Sequence, residues 1–173
     1  TSVVLRSYVA SCAPRTLEFV ARVWFGDPLV QADDPGGDDA RDRGLVIEGD
    51  DGTLCAAGDL LGELAVEFLP ADARLDLHRA MAERTTDLRL AAWHLHAAGD
   101  HAGTYRAACQ AADLPTTAPA ARAHLLVLAA QCAPEHERFE AVHRAAAAVG
   151  RRGDLRTALE LADTLDPATT PRG

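Results

Sequence analysis

The sequence predicts a mainly α-helical protein: a first part with one β-hairpin among short helices, then an antiparallel array of helical hairpins. Three observations predict it. Hydrophobic residues make up 48% of the 173-residue chain but aromatic ones only 5%. Alanine, the best helix former, is abundant, and small side chains let helices pack closely. From residue 59 onward apolar residues recur at helical spacing. A single stretch, GLVIEGDDGTLC at 44–55, changes period to that of strands.

In chain order, SVVLRSYVASC and PRTLEFVARVWF each read as a short helix, broken at Pro14-Arg15; Leu17, Val20 and Val23/Trp24 recur at helical spacing in the second. GDPLVQADDPGGDDARDRG, residues 26–44, is acidic, carries Gly36-Gly37 and lacks an apolar stripe, so a mobile, solvated loop is expected. The spaced Asp, central Gly and distal Glu of a calcium loop are absent from it. In the hairpin, Leu45, Val46 and Ile47 are strand formers, Asp51-Gly52 is the turn and Thr53-Leu54-Cys55 returns. DLLGELAVEFL follows, with Asp59 as the expected N-cap. Pro70 then starts ADARLDLHRAMAER. Further helices are expected at about 87–98, 101–112, 119–132, 135–149 and 154–165, with LPTTAP (114–119) and GRRGD (150–154) as connections. An internal echo links GDHAGTYRAA at Gly99 to GDLRTALELA at Gly153, with Ala108 and Ala162 in register. Such Gly-Asp turns before helices suggest stacked antiparallel hairpins of the tetratricopeptide (TPR) kind.

Charge and motifs exclude more than they select. A net charge of −9 disfavours nucleic acid and anionic membranes, both of which need clustered Lys and Arg. No apolar run approaches the ~18 residues of a membrane span. Cys12, Cys55, Cys109 and Cys132 form no C-x-x-C pair and read as reduced thiols of a cytoplasmic protein, Cys109 and Cys132 acting as small apolar residues. There is no G-x-S-x-G, no G-x-G-x-x-G and no lysine to serve a P-loop. No catalytic residue is expected, and the chain is not read as an enzyme. The start, TSVVLRSYVASCAPR, has no Met and no signal-peptide pattern and reads like the interior of a longer chain.

The histidines are the remaining candidates for chemistry. In LRLAAWHLHAAGDH (88–101), Leu88, Ala91, Ala92 and Leu95 share one side of a helix, and Leu90, Trp93 and Ala97 the nearly opposite side. Such a helix packs on both faces, with Leu88, Leu95 and Trp93 as its structural residues. His94 and His96 fall between the faces on opposite edges, about 160° apart, so one metal ion cannot take both from one regular helix. A zinc site here would need partners from separate helices; none is expected. His136, Glu140 and His143 share a helix stripe beside Phe139, Val142 and Ala146, taken as core, but a second E-x-x-H motif is missing. They read as a solvated stripe. His78, among Leu75, Met81 and Ala82, reads as a buried structural histidine, and His124 as a surface edge residue beside Gln131.

Three stretches carry a family resemblance: RGLVIEGDDGTL, then LLGELAVEFLPADARLDLHRAMAE, then LRLAAWHLHAAGDHAGTYRAACQAAD. Together they resemble the middle of large bacterial ATP-binding transcriptional regulators, the MalT-like members of the LuxR family within the STAND class of signalling ATPases. The likeness covers roughly residues 1–165 and is strongest over 44–114. It implies a winged-helix-like region over 1–70, with the acidic loop 26–44 and a wing hairpin at 44–56. TPR-like helical repeats would follow over 71–165, and a tail or linker over 166–173. Leu77-His78-Arg79 matches a Leu-His-Arg core, and Ala92-Trp93-His94 an Ala-Trp-His helix. There are two departures. The Phe-x-His-Pro stretch that usually follows the wing is here Cys55-Ala56-Ala57-Gly58, and the acidic loop stands where relatives often have a helix.

The resemblance implies a regulatory or sensory segment that relays a signal by binding an effector or partner and by packing against other domains of the same regulator. ATP or ADP would belong to an upstream domain, and this chain would bind no cofactor itself. Trp93, His96, Tyr105 and His124 are the candidates for lining an effector or partner groove. The alternatives are a protein-interaction scaffold, or a helical segment appended to a signalling enzyme such as a cyclase or kinase.

Overall fold

The computed structural model describes residues 2–165; the expected tail at 166–173 lies outside the described residues. Among those residues the chain is mainly helical, with one two-stranded antiparallel sheet. It divides between Arg84 and Thr85 into two units. The helix that opens the expected repeat region at 71 therefore groups with the first unit.

The first unit runs α1 (Ser2–Ala10), α2 (Pro14–Trp24), α3 (Gly37–Asp42), β1 (Val46–Glu48), β2 (Leu54–Ala56), α4 (Asp59–Phe68) and α5 (Ala71–Arg84). Pro14 sits in the first turn of α2, where its missing N–H costs nothing. α2 is central: Leu17, Phe19, Val20, Ala21 and Val23 are buried, and it packs against α3, α4 and β2. The helix α4 lies close to it because Gly62 has no side chain; a Cβ there would stand 2.1 Å from the ring of Trp24. The hairpin pairs Val46 with Ala56 and Glu48 with Leu54. Its turn is the expected one: Gly52 has φ 78°, and Asp51 Oδ1 accepts from the Thr53 N–H at 3.0 Å. Asp59 is the first residue of α4, not its cap; Gly58 holds the cap position and makes no side-chain hydrogen bond. His78 is buried with Leu77 and Met81 on α5, its ring 5.2 Å from that of Phe25. Burial, and then the nearby Arg74 charge, lower its pKa and favour the neutral imidazole.

The acidic stretch 26–44 is not a mobile loop: it contains α3 and is tied down by its own aspartates. Gly36, at φ 94°, opens α3, and Gly37 lies against the Phe19 ring with the Ala32 carbonyl oxygen 2.4 Å from where a Cβ would stand. Asp27 and Asp34 both pair with Arg22, and Asp39 Oδ2 accepts from the Thr16 hydroxyl at 2.7 Å. Arg41 donates to Ala32 O at 2.8 Å. Composition alone misleads here because the arginines that use these carboxylates lie outside or at the end of the acidic run.

The second unit is α6 (Leu88–Ala97), α7 (His101–Asp113), α8 (Pro119–Cys132), α9 (Glu135–Gly150) and α10 (Leu155–Asp163). Each packs chiefly on its neighbours in the chain. Alanine makes this close: Ala92, Ala108, Ala111, Ala112 and Ala145 are completely buried, around Leu125, Leu126 and Val142. Side-chain bonds fix the directions. Arg122, in the first turn of α8, donates to Ala112 O near the end of α7 at 2.9 Å, and Cys132 at the end of α8 lies within 4.8 Å of His101 at the start of α7, so α7 and α8 are antiparallel. Tyr105 reaches Glu137 near the start of α9, and Asp113 reaches Arg144 further along it, so α7 and α9 run side by side in one sense.

The Gly-Asp echo is real as local chemistry. Gly99 and Gly153 have φ of 74° and 85°, and Asp100 and Asp154 cap the next helix by accepting from the N–H of Gly103 at 2.8 Å and of Thr157 at 3.1 Å. The two turns join α6 to α7 and α9 to α10.

Candidate functional site

Alternation of direction gathers four helix ends on one side of the second unit: the last turns of α6 and α8 and the first turns of α7 and α9. Short connections impose this, Ala98 to Asp100 in one case and Ala133-Pro134 in the other. Between α7, α8 and α9 there opens a crevice of about 810 Å³ whose lining includes His101, Tyr105, Cys109, Cys132, Glu137 and Arg144. The Tyr105 hydroxyl donates to Glu137 Oε2 at 2.5 Å, and Arg144 pairs with Asp113 at 2.6 Å. The Glu137 hydrogen bond, and after it burial, push the Tyr105 phenol above its ordinary pKa, because the neutral hydroxyl is the donor. Burial raises the Cys109 thiol, with the Arg144 charge working against it.

At the end of this crevice three side chains from three helices converge. His96 comes from the last turn of α6, His101 from the first position of α7 and Cys132 from the last position of α8. One ligand atom of each lies within 4.8 Å of the other two, and Cys132 Sγ is 3.6 Å from His96 Nδ1. Cys132 is buried while both histidines reach solvent. Burial raises the thiol pKa, and hydrogen bonding with Thr104 opposes that. The left-handed Gly99 lets His101 return beside His96.

The four groove candidates do not share one groove. Tyr105 lines the crevice, and His96 lies at its end beside His101 and Cys132. His124 lines a second cleft of about 490 Å³, with Val127, Leu128, Arg152 and Thr157. Gln131 borders both openings. Trp93 is 45% exposed and stands edge-on to His94, ring centroids 4.8 Å apart. The expected roles within α6 are therefore exchanged: Trp93, with Leu90, is on an exposed face, and His94 is buried rather than at an edge. His136 and His143 are exposed, and so is Phe139, taken above as core; its ring stacks on that of His143.

Sequence reasoning weighed His96 only against His94 on its own helix and read Cys132 as a packing residue. The one available signal was the condition that a site here would draw on separate helices, and the structure meets that condition. No family model, curated protein or solved structure matches this chain. The likeness to MalT-like regulators thus rests on the three quoted stretches. Among the described residues, no helix is long and apolar enough to cross a membrane.

Proposed function

We propose that this chain is the regulatory middle segment of a bacterial transcriptional regulator of the MalT-like, LuxR-family kind. In this reading the first unit is a winged-helix-like module, α6–α10 form a TPR-like array, and the crevice between α7, α8 and α9 takes an effector or partner in the cytoplasm. The segment relays a signal and catalyses nothing itself, and ATP or ADP binds elsewhere in the regulator. The observation that carries the reading is the crevice: a concave opening on an alanine-packed helical array, edged by Tyr105, Glu137 and Arg144. The helix α3, directly before the hairpin, adds support, since relatives often have a helix there.

The mechanism is differential binding. An occupant that bridges α7 and α9 stabilises only the arrangement in which both helices keep their present spacing, and shifts the population toward it. Two measurements test this. The reading frame around the chain is expected to encode a P-loop upstream and a helix-turn-helix downstream; a frame with neither overturns the regulator assignment. A small-molecule thermal-shift screen is expected to yield a stabilising ligand whose effect is lost in Tyr105→Ala. No hit, with a protein captured through the same face, favours an interaction scaffold.

A further inference from the structure

We propose that His96, His101 and Cys132 form a binding site for a zinc-class divalent transition metal, with a fourth position open to the crevice. The proposal stands on these three side chains and not on the regulatory reading.

The donor set is the first argument. One thiolate and two imidazoles are the ligands such ions take, whereas calcium and magnesium want oxygen. Distance is the second. Bonds of about 2.3 Å to sulfur and about 2.05 Å to nitrogen at a tetrahedral angle put S and N about 3.6 Å apart. Cys132 Sγ and His96 Nδ1 are 3.6 Å apart, and the His101 ligand atom completes a triangle with no side above 4.8 Å. Side-chain rotation of His101, which is exposed at the first position of α7, closes the remaining gap.

The placement is the third argument. The three ligands come from the ends of three helices that the array already holds together, so binding needs no new fold. Two of those ends are C-termini, whose partial negative charge favours a cation, against the single N-terminus of α7. Three protein ligands leave one coordination position for water or for a donor group of a crevice occupant, since His101 and Cys132 both line that opening. Binding displaces the Cys132 thiol proton to solvent and forms a metal–thiolate bond with no change of oxidation state. A metal here would tie α6, α7 and α8 together and stabilise the second unit by mass action.

The test uses the tag-free chain, metal-free and reduced, titrated with cobalt(II) as probe. Expected are one equivalent bound, a near-ultraviolet sulfur-to-cobalt charge-transfer band and the intense visible bands of four-coordinate cobalt. Zinc should displace them. Cys132→Ser should abolish the charge-transfer band, and His96→Ala and His101→Ala should each weaken binding at least about tenfold. His101→Ala removes an exposed side chain, so its fold should persist and can be checked by circular dichroism. Cys55→Ser and His143→Ala, both exposed and outside the cluster, serve as controls that keep the full signal. Absence of the charge-transfer band in the folded wild-type chain, or a band that survives Cys132→Ser, overturns the proposal.

Discussion

Replacing Asp27 by Asn should selectively weaken the first unit, in a pH-dependent way. The Asp27 side chain is wholly shielded from solvent. Its Oδ2 accepts from Arg22 Nε at 2.7 Å and Arg84 Nη1 at 2.6 Å, and its Oδ1 from the Leu29 N–H at 3.0 Å. One carboxylate thus joins the end of α2, the turn after it and the last residue of α5. Burial by itself would raise the pKa, but the Arg22 and Leu29 hydrogen bonds and the two guanidinium charges outweigh it and hold the pKa below the ordinary value. Asparagine keeps the volume but turns an N–H₂ or a neutral oxygen toward two cations. Removing one partner of a fully buried pair costs about 3–5 kcal/mol; here both arginines keep some solvent contact, so about 2–3 kcal/mol is expected. In a Trp93→Phe background Trp24 is the sole tryptophan, and its fluorescence during urea unfolding reads the first unit alone. Because the folded pKa is depressed, the wild-type advantage should be complete above the unfolded pKa of about 3.9 and vanish as pH falls through the folded value. Equal stability near pH 7, or a difference unchanged down to about pH 3, would refute the reasoning.

Other expectations follow from single contacts. Gly62→Ala should destabilise although it adds helix propensity worth about 1 kcal/mol, because a Cβ 2.1 Å from Trp24 forces the α2–α4 contact apart; a raised midpoint in urea would sink the idea, and Trp24→Ala should partly relieve the penalty. Asp100→Ala should cost the second unit about 1 kcal/mol through the lost cap of α7, read by Trp93 fluorescence in a Trp24→Phe background. In a Tyr8→Phe background, ultraviolet titration should find Tyr105 ionising above the usual tyrosine range, and Glu137→Gln should bring it down. The sign for stability is that of a raised pKa: the Tyr105–Glu137 contribution is complete below the unfolded value of about 10 and lost as pH rises through the folded one.

Elements with a local cause were legible in the sequence. The hairpin turn follows from Asp51-Gly52, the start of α2 from Pro14, and the starts of α7 and α10 from Gly-Asp pairs that supply a left-handed residue and then a cap. Burial of His78 was legible because apolar residues surround it on its own helix. What was not legible depends on residues distant in sequence. Helix α3 forms in an acidic run because Arg22, Thr16 and Phe19, all on α2, use its charges and its glycines. In α6 two apolar faces were visible, but which one is covered depends on neighbouring elements, so Trp93 and His94 exchanged roles.

The same distinction explains why the three-residue cluster escaped a helix-by-helix reading. Two histidines two positions apart on one helix diverge, and that geometry rules out a shared ion for His94 and His96. It says nothing about His96 with partners from other helices. Convergence requires α6 to end where α7 begins, α7 and α8 to run in opposite senses, and α8 to keep its last residue in the array. The first condition comes from the left-handed Gly99 and the second from the Arg122 bond to Ala112 O. The third comes from burial of Cys132 and Ala133. Each condition is a packing or turn feature with no metal-binding signature in its own residues. A Cys–His–His set assembled from helix ends therefore has no spacing to recognise, and its chemistry becomes visible only once the order and sense of the helices are known.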